Sequence, residues 1–223
     1  MRSFESVCKF PNIIESLDCT HIRFQAPNQH SSAYFGRKQF YSINVQAVCG
    51  NDRKFYNVFA KYPGSVHDPR IFMESKLCQR LERGELHGVL LGDSGYSCQP
   101  YLLPPYAVPA NRVEGRFNKR LTKARVCVEC AFGILKRRFP CLSVGLRVRL
   151  DRVCSVIVAC FVLHNLAIEW NTTTLEQLMP GDPNLDISDE ECDSGDEVEE
   201  PMQSDNRTGL AFRNFIAQST FQL

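Results

Sequence analysis

The chain has 223 residues, 43% hydrophobic and 23% charged, which is material for one good-sized domain plus a tail and excludes wholesale disorder or a fibrous architecture. Its net charge of +1 averages unlike parts: residues 1–170 hold 24 Lys and Arg against 13 Asp and Glu, a net of +11, while residues 171–223 hold 2 against 12, a net of −10. There is no uninterrupted apolar run of the roughly 20 residues a membrane span needs and no apolar signal stretch behind Met1, so an intracellular protein without membrane association is expected.

In chain order, Leu17 to Phe24 reads as a strand that ends in Gln25-Ala26-Pro27-Asn28. Tyr41 to Cys49 reads as a second, with Ser, Asn and Gln interleaved at period two. Gly50-Asn51-Asp52 is a turn, and Phe55 to Lys61 returns as a third strand, making a hairpin. Asp68, with proline next, suits the cap of one helix from Pro69 to about Glu82, with Ile71, Phe72 and Leu77 at helical spacing. Val89-Leu90-Leu91 fits a short buried parallel strand. Prolines 100, 104, 105 and 109 exclude helix, and a polar loop is expected up to Thr122, the predicted cap of a helix ending before Pro140. A buried helix follows over Asp151 to Trp170.

The domain thus predicted is 1–170. Residues 171–206 form an acidic linker expected to be disordered, with ten carboxylates between Asp182 and Glu200. Residues 207–223 carry Leu210, Phe212, Phe215 and Ile216 in a short amphipathic pattern that predicts a terminal helix docking back. Eleven cysteines, odd in number and mostly in apolar surroundings, read as reduced buried thiols. Cys127 and Cys130 have the spacing of half a zinc site, but no second pair completes it.

Acidic residues fall at particular points on this layout. Asp18 interrupts an apolar strand, where a carboxylate is disfavoured. Asp93 directly follows the Val89-Leu90-Leu91 strand, at the carboxyl end where open α/β sheets place ligand-binding groups. Glu129 sits on a helix of basic and apolar character, with Arg125, Phe132 and Lys136 at i−4, i+3 and i+7. Carboxylates that converge repel one another, and a hard divalent cation such as magnesium offsets that cost better than the softer metals suited to His and Cys.

Each residue has a plainer reading. Asp18 or Asp93 could shape a turn, and Glu129 could pair with Arg125 on the helix surface. Asp68 is open between helix cap and metal ligand. His21, His67 and His164 are candidate proton carriers or, more simply, hydrogen-bonded core groups, the expectation for His164 with Asn165 being packing. Arg37, Lys38, Arg116, Lys119, Arg120, Lys123, Arg125, Lys136, Arg137 and Arg138 cluster before and along the Glu129 helix, where they could contact backbone phosphate or simply solvate a face. Tyr34, Phe40 and Tyr41 could stack on bases or pack on strands.

The ordered set Leu17-Asp18-Cys19-Thr20-His21-Ile22, Tyr41-Ser42-Ile43-Asn44-Val45-Gln46-Ala47-Val48, Pro63-Gly64-Ser65-Val66-His67-Asp68, Gly92-Asp93-Ser94-Gly95-Tyr96, Val128-Glu129-Cys130-Ala131-Phe132-Gly133 and Leu163-His164-Asn165 resembles the nuclease domain of PIF/Harbinger transposases and the host proteins domesticated from them. The resemblance implies an α/β, RNase H-like fold, a mixed sheet flanked by helices, with a DDE triad falling on Asp18, Asp93 and Glu129. It implies a DNA endonuclease using two Mg2+ or Mn2+ ions, a Myb-like DNA-binding partner that brings nuclear entry, and hence a nuclear location. Oligomers are compatible with it. Cys19 departs from the family's usual Gly, and 17 residues ahead of Asp18 leave no room for the family's helix-turn-helix, so target recognition through a partner is expected. The rival expectation is a catalytically silent domesticated module that binds DNA or protein.

Overall fold

The structure, a computed structural model, describes residues 13–27, 31–172 and 206–221. Five strands, β1 (Ile13–Arg23), β2 (Ser42–Cys49), β3 (Phe55–Pro63), β4 (Val89–Leu91) and β5 (Leu102–Leu103), make one mixed sheet in the order β3-β2-β1-β4-β5. The β1–β2 and β2–β3 pairs are antiparallel, and β1–β4 and β4–β5 are parallel. Helices flank it: α1 (Ser31–Tyr34), α2 (Asp68–Met73), α3 (Lys76–Glu82), α4 (Arg112–Arg138), α5 (Cys141–Val144), α6 (Leu150–Glu169) and α7 (Arg207–Phe221). This is the α/β architecture of an RNase H-like DDE fold.

Burial explains the layering. Ile43, Val45, Ala47 and Cys49 of β2 pack with Val128, Ala131, Phe132 and Leu135 of α4 and Val153, Ile157 and Phe161 of α6. On the opposite face Leu17 and Val48 meet Phe72, Cys78 and Leu81 of α2 and α3. Both faces of β2 are therefore covered and all eight residues are buried, so its period-two polar residues do not mark a solvent face. Ser42 and Asn44 instead find partners inside, at His21 and at Asp68.

Several element boundaries differ from the sequence expectation. The first strand begins at Ile13, ahead of Leu17. The helix expected over 69–82 is two, because Ser75 leaves helical geometry (ψ 148°) and its side chain accepts from the Cys78 amide, capping α3. The cap of α2 is His67, with no side-chain cap bond; Asp68 is the first helical residue, and its carboxylate is turned to Asn44. Helix α4 starts at Arg112 rather than after Thr122. Asn111 accepts from the Glu114 amide at 3.0 Å, and Glu114 reaches back to accept from the Ala110 amide at 2.7 Å and from Asn111 Nδ2 at 3.0 Å, a variant of the capping box, shifted by one residue, that fixes the start. The proline-rich segment holds β5, whose parallel pairing with β4 was not expected.

Helix α6 is long and apolar enough, by length and composition, to cross a membrane, but here one face is packed. Asn165 brackets the backbone of Phe55, accepting from its amide at 2.9 Å and donating to its carbonyl at 2.8 Å, while His164 Nε2 donates to the Arg53 carbonyl at 3.0 Å. The opposite face, with Val158, Val162 and Leu163, is exposed, so the helix is buried on one side only. Helix α7 lies against α4, with Ile216, Ala217 and Phe221 beside Phe117 and Leu121. Its Arg213 stacks 4.0 Å over Tyr106 and donates to the carbonyls of Pro104 and Pro105. The acidic stretch Asp182 to Glu200 lies outside the described residues.

Candidate active site

Strand β4 ends at, and β1 runs past, an open cleft of about 590 Å3, lined by Asp68, Asp93, Glu129 and Arg125 with Cys19, His21, Asn44, Arg37 and Lys38. Strand alternation sets which side chains reach it. Ser16, Asp18 and Thr20 project from β1 toward α4, where they meet the Ala124 carbonyl, Arg125 and Lys136 respectively. Cys19 and His21 take the other face and line the cleft. Asp18, 16% exposed, adjoins the cleft through Arg125, whose Nη2 stands 3.6 Å from Asp18 Oδ2 and 4.0 Å from Glu129 Oε1.

Each carboxylate is held differently. Asp18 Oδ1 accepts from the Cys19 amide at 2.7 Å. Asp93 stands two residues beyond the end of β4, and its Oδ1 accepts from the Gly95 amide at 3.0 Å, so one oxygen closes the Gly-Asp-Ser-Gly turn. Asp68 Oδ1 accepts from Asn44 Nδ2 at 2.6 Å, and the same amide group donates to the Val66 carbonyl at 3.0 Å. Glu129, 57% exposed, stands one turn beyond Arg125 on α4.

The electrostatics follow from burial. The Asp18 carboxyl is pushed up to about 7 by desolvation, an effect that Arg125 opposes and that Asp93 and Asp68 reinforce. Burial likewise lifts the Cys19 thiol and the Tyr96 phenol well above their ordinary ranges; the two touch at 3.6 Å. The cysteine in place of the family's glycine is thus accommodated beside Tyr96. His21 is held down at about 4, by burial first and then by Lys38, Lys136 and Arg37.

The donor set is oxygen-rich and suits a hard divalent cation. Among the described residues, however, no three His, Cys, Asp or Glu side chains are drawn tightly enough to hold an ion. Asp93, Asp68 and Glu129 line one cleft and Asp18 lies beside it, with Arg125 as the counter-charge between Asp18 and Glu129. The buried Asn44 Oδ1, which accepts no hydrogen bond from the described residues, opens the same lining. Asn44 was not singled out by sequence reasoning; its signal is an amide in mid-strand, read there as ordinary alternation.

The ten basic candidates separate. Arg37, Lys38 and Arg125 line the cleft, and Lys136 reaches Thr20 beside it. Arg116 donates to the Phe221 carbonyl at the end of α7, Arg138 donates to the His164 carbonyl, and Lys119, Arg120, Lys123 and Arg137 are not among the lining residues. Tyr34 packs edge-on to Phe24 and Tyr41 to Phe35. The described cysteines are free thiols, Cys127 lying near Ser16 rather than in a metal group.

Known proteins are similar to this chain. The rat protein named "Putative nuclease HARBI1" is 32% identical over 170 residues, covering 74% of this chain and 49% of its own length. The human protein of the same name is 31% identical over 183 residues, covering 80% and 52%. An Arabidopsis thaliana protein named "Protein ALP1-like" is 27% identical over 234 residues, covering 96% and 57%. The chain therefore spans about half the length of the curated relatives it matches. No solved structure matches it significantly. Residues 17–165 match the family described as DDE superfamily endonuclease, and the chain belongs to that family.

Proposed function

We propose that the chain is a divalent-metal-dependent endonuclease acting on DNA phosphodiester bonds, with Asp18, Asp93 and Glu129 as metal ligands and Asp68 as an accessory one. The observation that carries the reading is that Asp93, Asp68 and Glu129 line one cleft beyond the end of β4, with Asp18 beside it and within electrostatic reach of Asp93 and Asp68, in a chain of the DDE endonuclease family. Mg2+ or Mn2+, as a pair of ions, would supply the charge that makes water a nucleophile and eases departure of the leaving oxygen.

The chain's own residues do the rest. Asp18 gives up its proton at about neutral pH, when a cation offsets the burial that raises its pKa. Asn44 fixes Asp68, the Gly95 amide fixes Asp93, and exposed Glu129 rotates inward as Arg125 releases it. A Myb-like DNA-binding partner and nuclear action belong to the same proposal. Calorimetric titration with Mn2+ tests the ligand set: wild-type protein takes up the ion with proton release, and Asp18→Asn binds at least about tenfold more weakly. Equal binding by both would remove Asp18 from the site.

The second reading is a silent module that binds DNA or protein. It is favoured by the Arg125 bridge and the absence, among the described residues, of three tightly gathered ligands. It predicts no metal uptake in the same titration.

A further inference from the structure

The cleft has a second pole. Beyond the carboxylates lie His21, Arg37 and Lys38, and next to these Arg23 and Lys136. Lys136 is half-buried and donates to Thr20 Oγ1 at 2.7 Å. Arg23 lies 4.0 Å over the Phe40 ring, which meets His21 edge-on. Arg37 donates to His67 Nδ1 at 3.3 Å, at the base of the Asp68 helix. Among the described residues, no carboxylate forms an ion pair with Lys136, Lys38 or Arg23.

Assembling like charges at a half-buried position is unfavourable unless an anion offsets it. The proximity is felt within the protein: burial first, then Lys38 and Arg23, lowers the Lys136 ammonium, and burial first, then Lys38, Lys136 and Arg37, keeps His21 neutral. With Nδ1 of His21 bonded to Ser42 Oγ at 3.0 Å, the neutral imidazole and the Thr20 hydroxyl add polar groups beside the cations. Arg37 and Lys38 line the same open cleft as Asp93 and Glu129, so an anion here is continuous with whatever the carboxylates act on.

We propose that Lys38 and Lys136, with Arg37 and Arg23 beside them, form a subsite for a backbone phosphate of a DNA strand, neighbouring the phosphodiester presented to Asp18, Asp93 and Glu129. The assignment rests on the nuclease reading for the identity of the strand, but not for the binding itself. It separates these side chains from Arg116, Lys119, Arg120, Lys123 and Arg137, which neither line the cleft nor act on His21 or Lys136, and from Arg125, which is engaged with carboxylates.

The test is fluorescence anisotropy of a labelled single-stranded DNA of about 15 nucleotides, with the full chain in EDTA and a salt titration. Lys38→Gln and Lys136→Gln each weaken binding about fivefold and reduce the salt slope by roughly 0.7, while Lys76→Gln on α3 leaves both unchanged. Lys38 is exposed in a loop, so its variant reports even if Lys136→Gln fails to fold. Failure of the wild-type protein to bind, or unchanged affinity and slope in Lys38→Gln, overturns the subsite. Competition by inorganic pyrophosphate as strong per molecule as by the oligonucleotide overturns the strand assignment in favour of a free-anion site. Metal-dependent cleavage is measured separately. Lysine-dependent binding without cleavage sinks the nuclease reading and leaves the subsite, whereas cleavage with binding indifferent to Lys38 does the reverse.

Discussion

Arg125 holds Asp18 across the gap between α4 and β1, Nη2 to Oδ2 at 3.6 Å, with side chains only 12% and 16% exposed. The same guanidinium stands 4.0 Å from Glu129. In this position it does what a divalent cation does in a carboxylate site, lowering mutual repulsion without bringing the oxygens into one coordination sphere. Removing it exposes the difference between the two cations. Arg125→Gln is expected to destabilise the metal-free protein by about 1–3 kcal/mol at pH 8, since it leaves a nearly buried carboxylate without its partner. At pH 5 the loss is small because Asp18 is protonated. Denaturant melts at the two pH values in EDTA measure it, and millimolar Mg2+ restores most of the loss at pH 8.

The raised Asp18 pKa has its own signature. A carboxyl at about 7 in the folded chain against an ordinary 3.8 contributes stability that is complete below the ordinary value and is lost as pH rises through about 7. Metal-free wild-type protein should therefore lose stability, on the order of 2 kcal/mol, between pH 5 and 8 from this group. In Asp18→Asn that component disappears, so the variant is the more stable of the two at pH 8. Thermal melts across this range in EDTA check the crossover.

His164 titrates in the opposite sense. Burial holds it at about 4 against an ordinary 6.5, so the folded chain favours the neutral ring. The stability this gives is present above 6.5 and is lost as pH falls toward 4. His164→Gln should flatten the acid limb of the stability profile. Asn165→Ala, which strands both backbone groups of Phe55, should cost about 2 kcal/mol at all pH values.

The Pro63-Gly64-Ser65 turn positions Asp68 by close approach. A Cβ at Gly64 would stand 2.1 Å from Ser42 Oγ and 2.9 Å from the Ser42 carbonyl oxygen, and the Gly64 amide donates to that carbonyl at 2.8 Å. Gly64→Ala should cost about 1–3 kcal/mol and weaken Mn2+ binding. Ser42→Gly in the same chain should recover part of both, as calorimetry would show.

Much of this was legible in the chain. The three leading strands, the short β4 and the positions of Asp18 and Asp93 at strand sites follow from periodicity and the cost of a carboxylate in an apolar run. The start of α4 was misplaced although Asn111 and Glu114 spell a capping box, because a second polar residue, Thr122, offered an equally local signal. Asp68 and Ser75 show the limit of capping rules: tertiary partners, Asn44 for one and the Cys78 amide for the other, decide which residue caps. The Arg125 bridge joins residues 107 apart in the chain, Asp18 and Arg125, and side-chain spacing along one helix reveals only its Glu129 half. Sorting the basic residues into cleft and periphery likewise needs the fold.

The most direct measurement is nicking of supercoiled plasmid in Mn2+ by the wild-type chain, supplied with a DNA-binding partner domain if required, beside Asp93→Asn and Glu129→Gln. Metal-dependent nicking by the wild type that falls at least about a hundredfold in both variants is the predicted result. Nicking of equal rate in all three proteins, or none in any while metal binding is absent, would contradict the account.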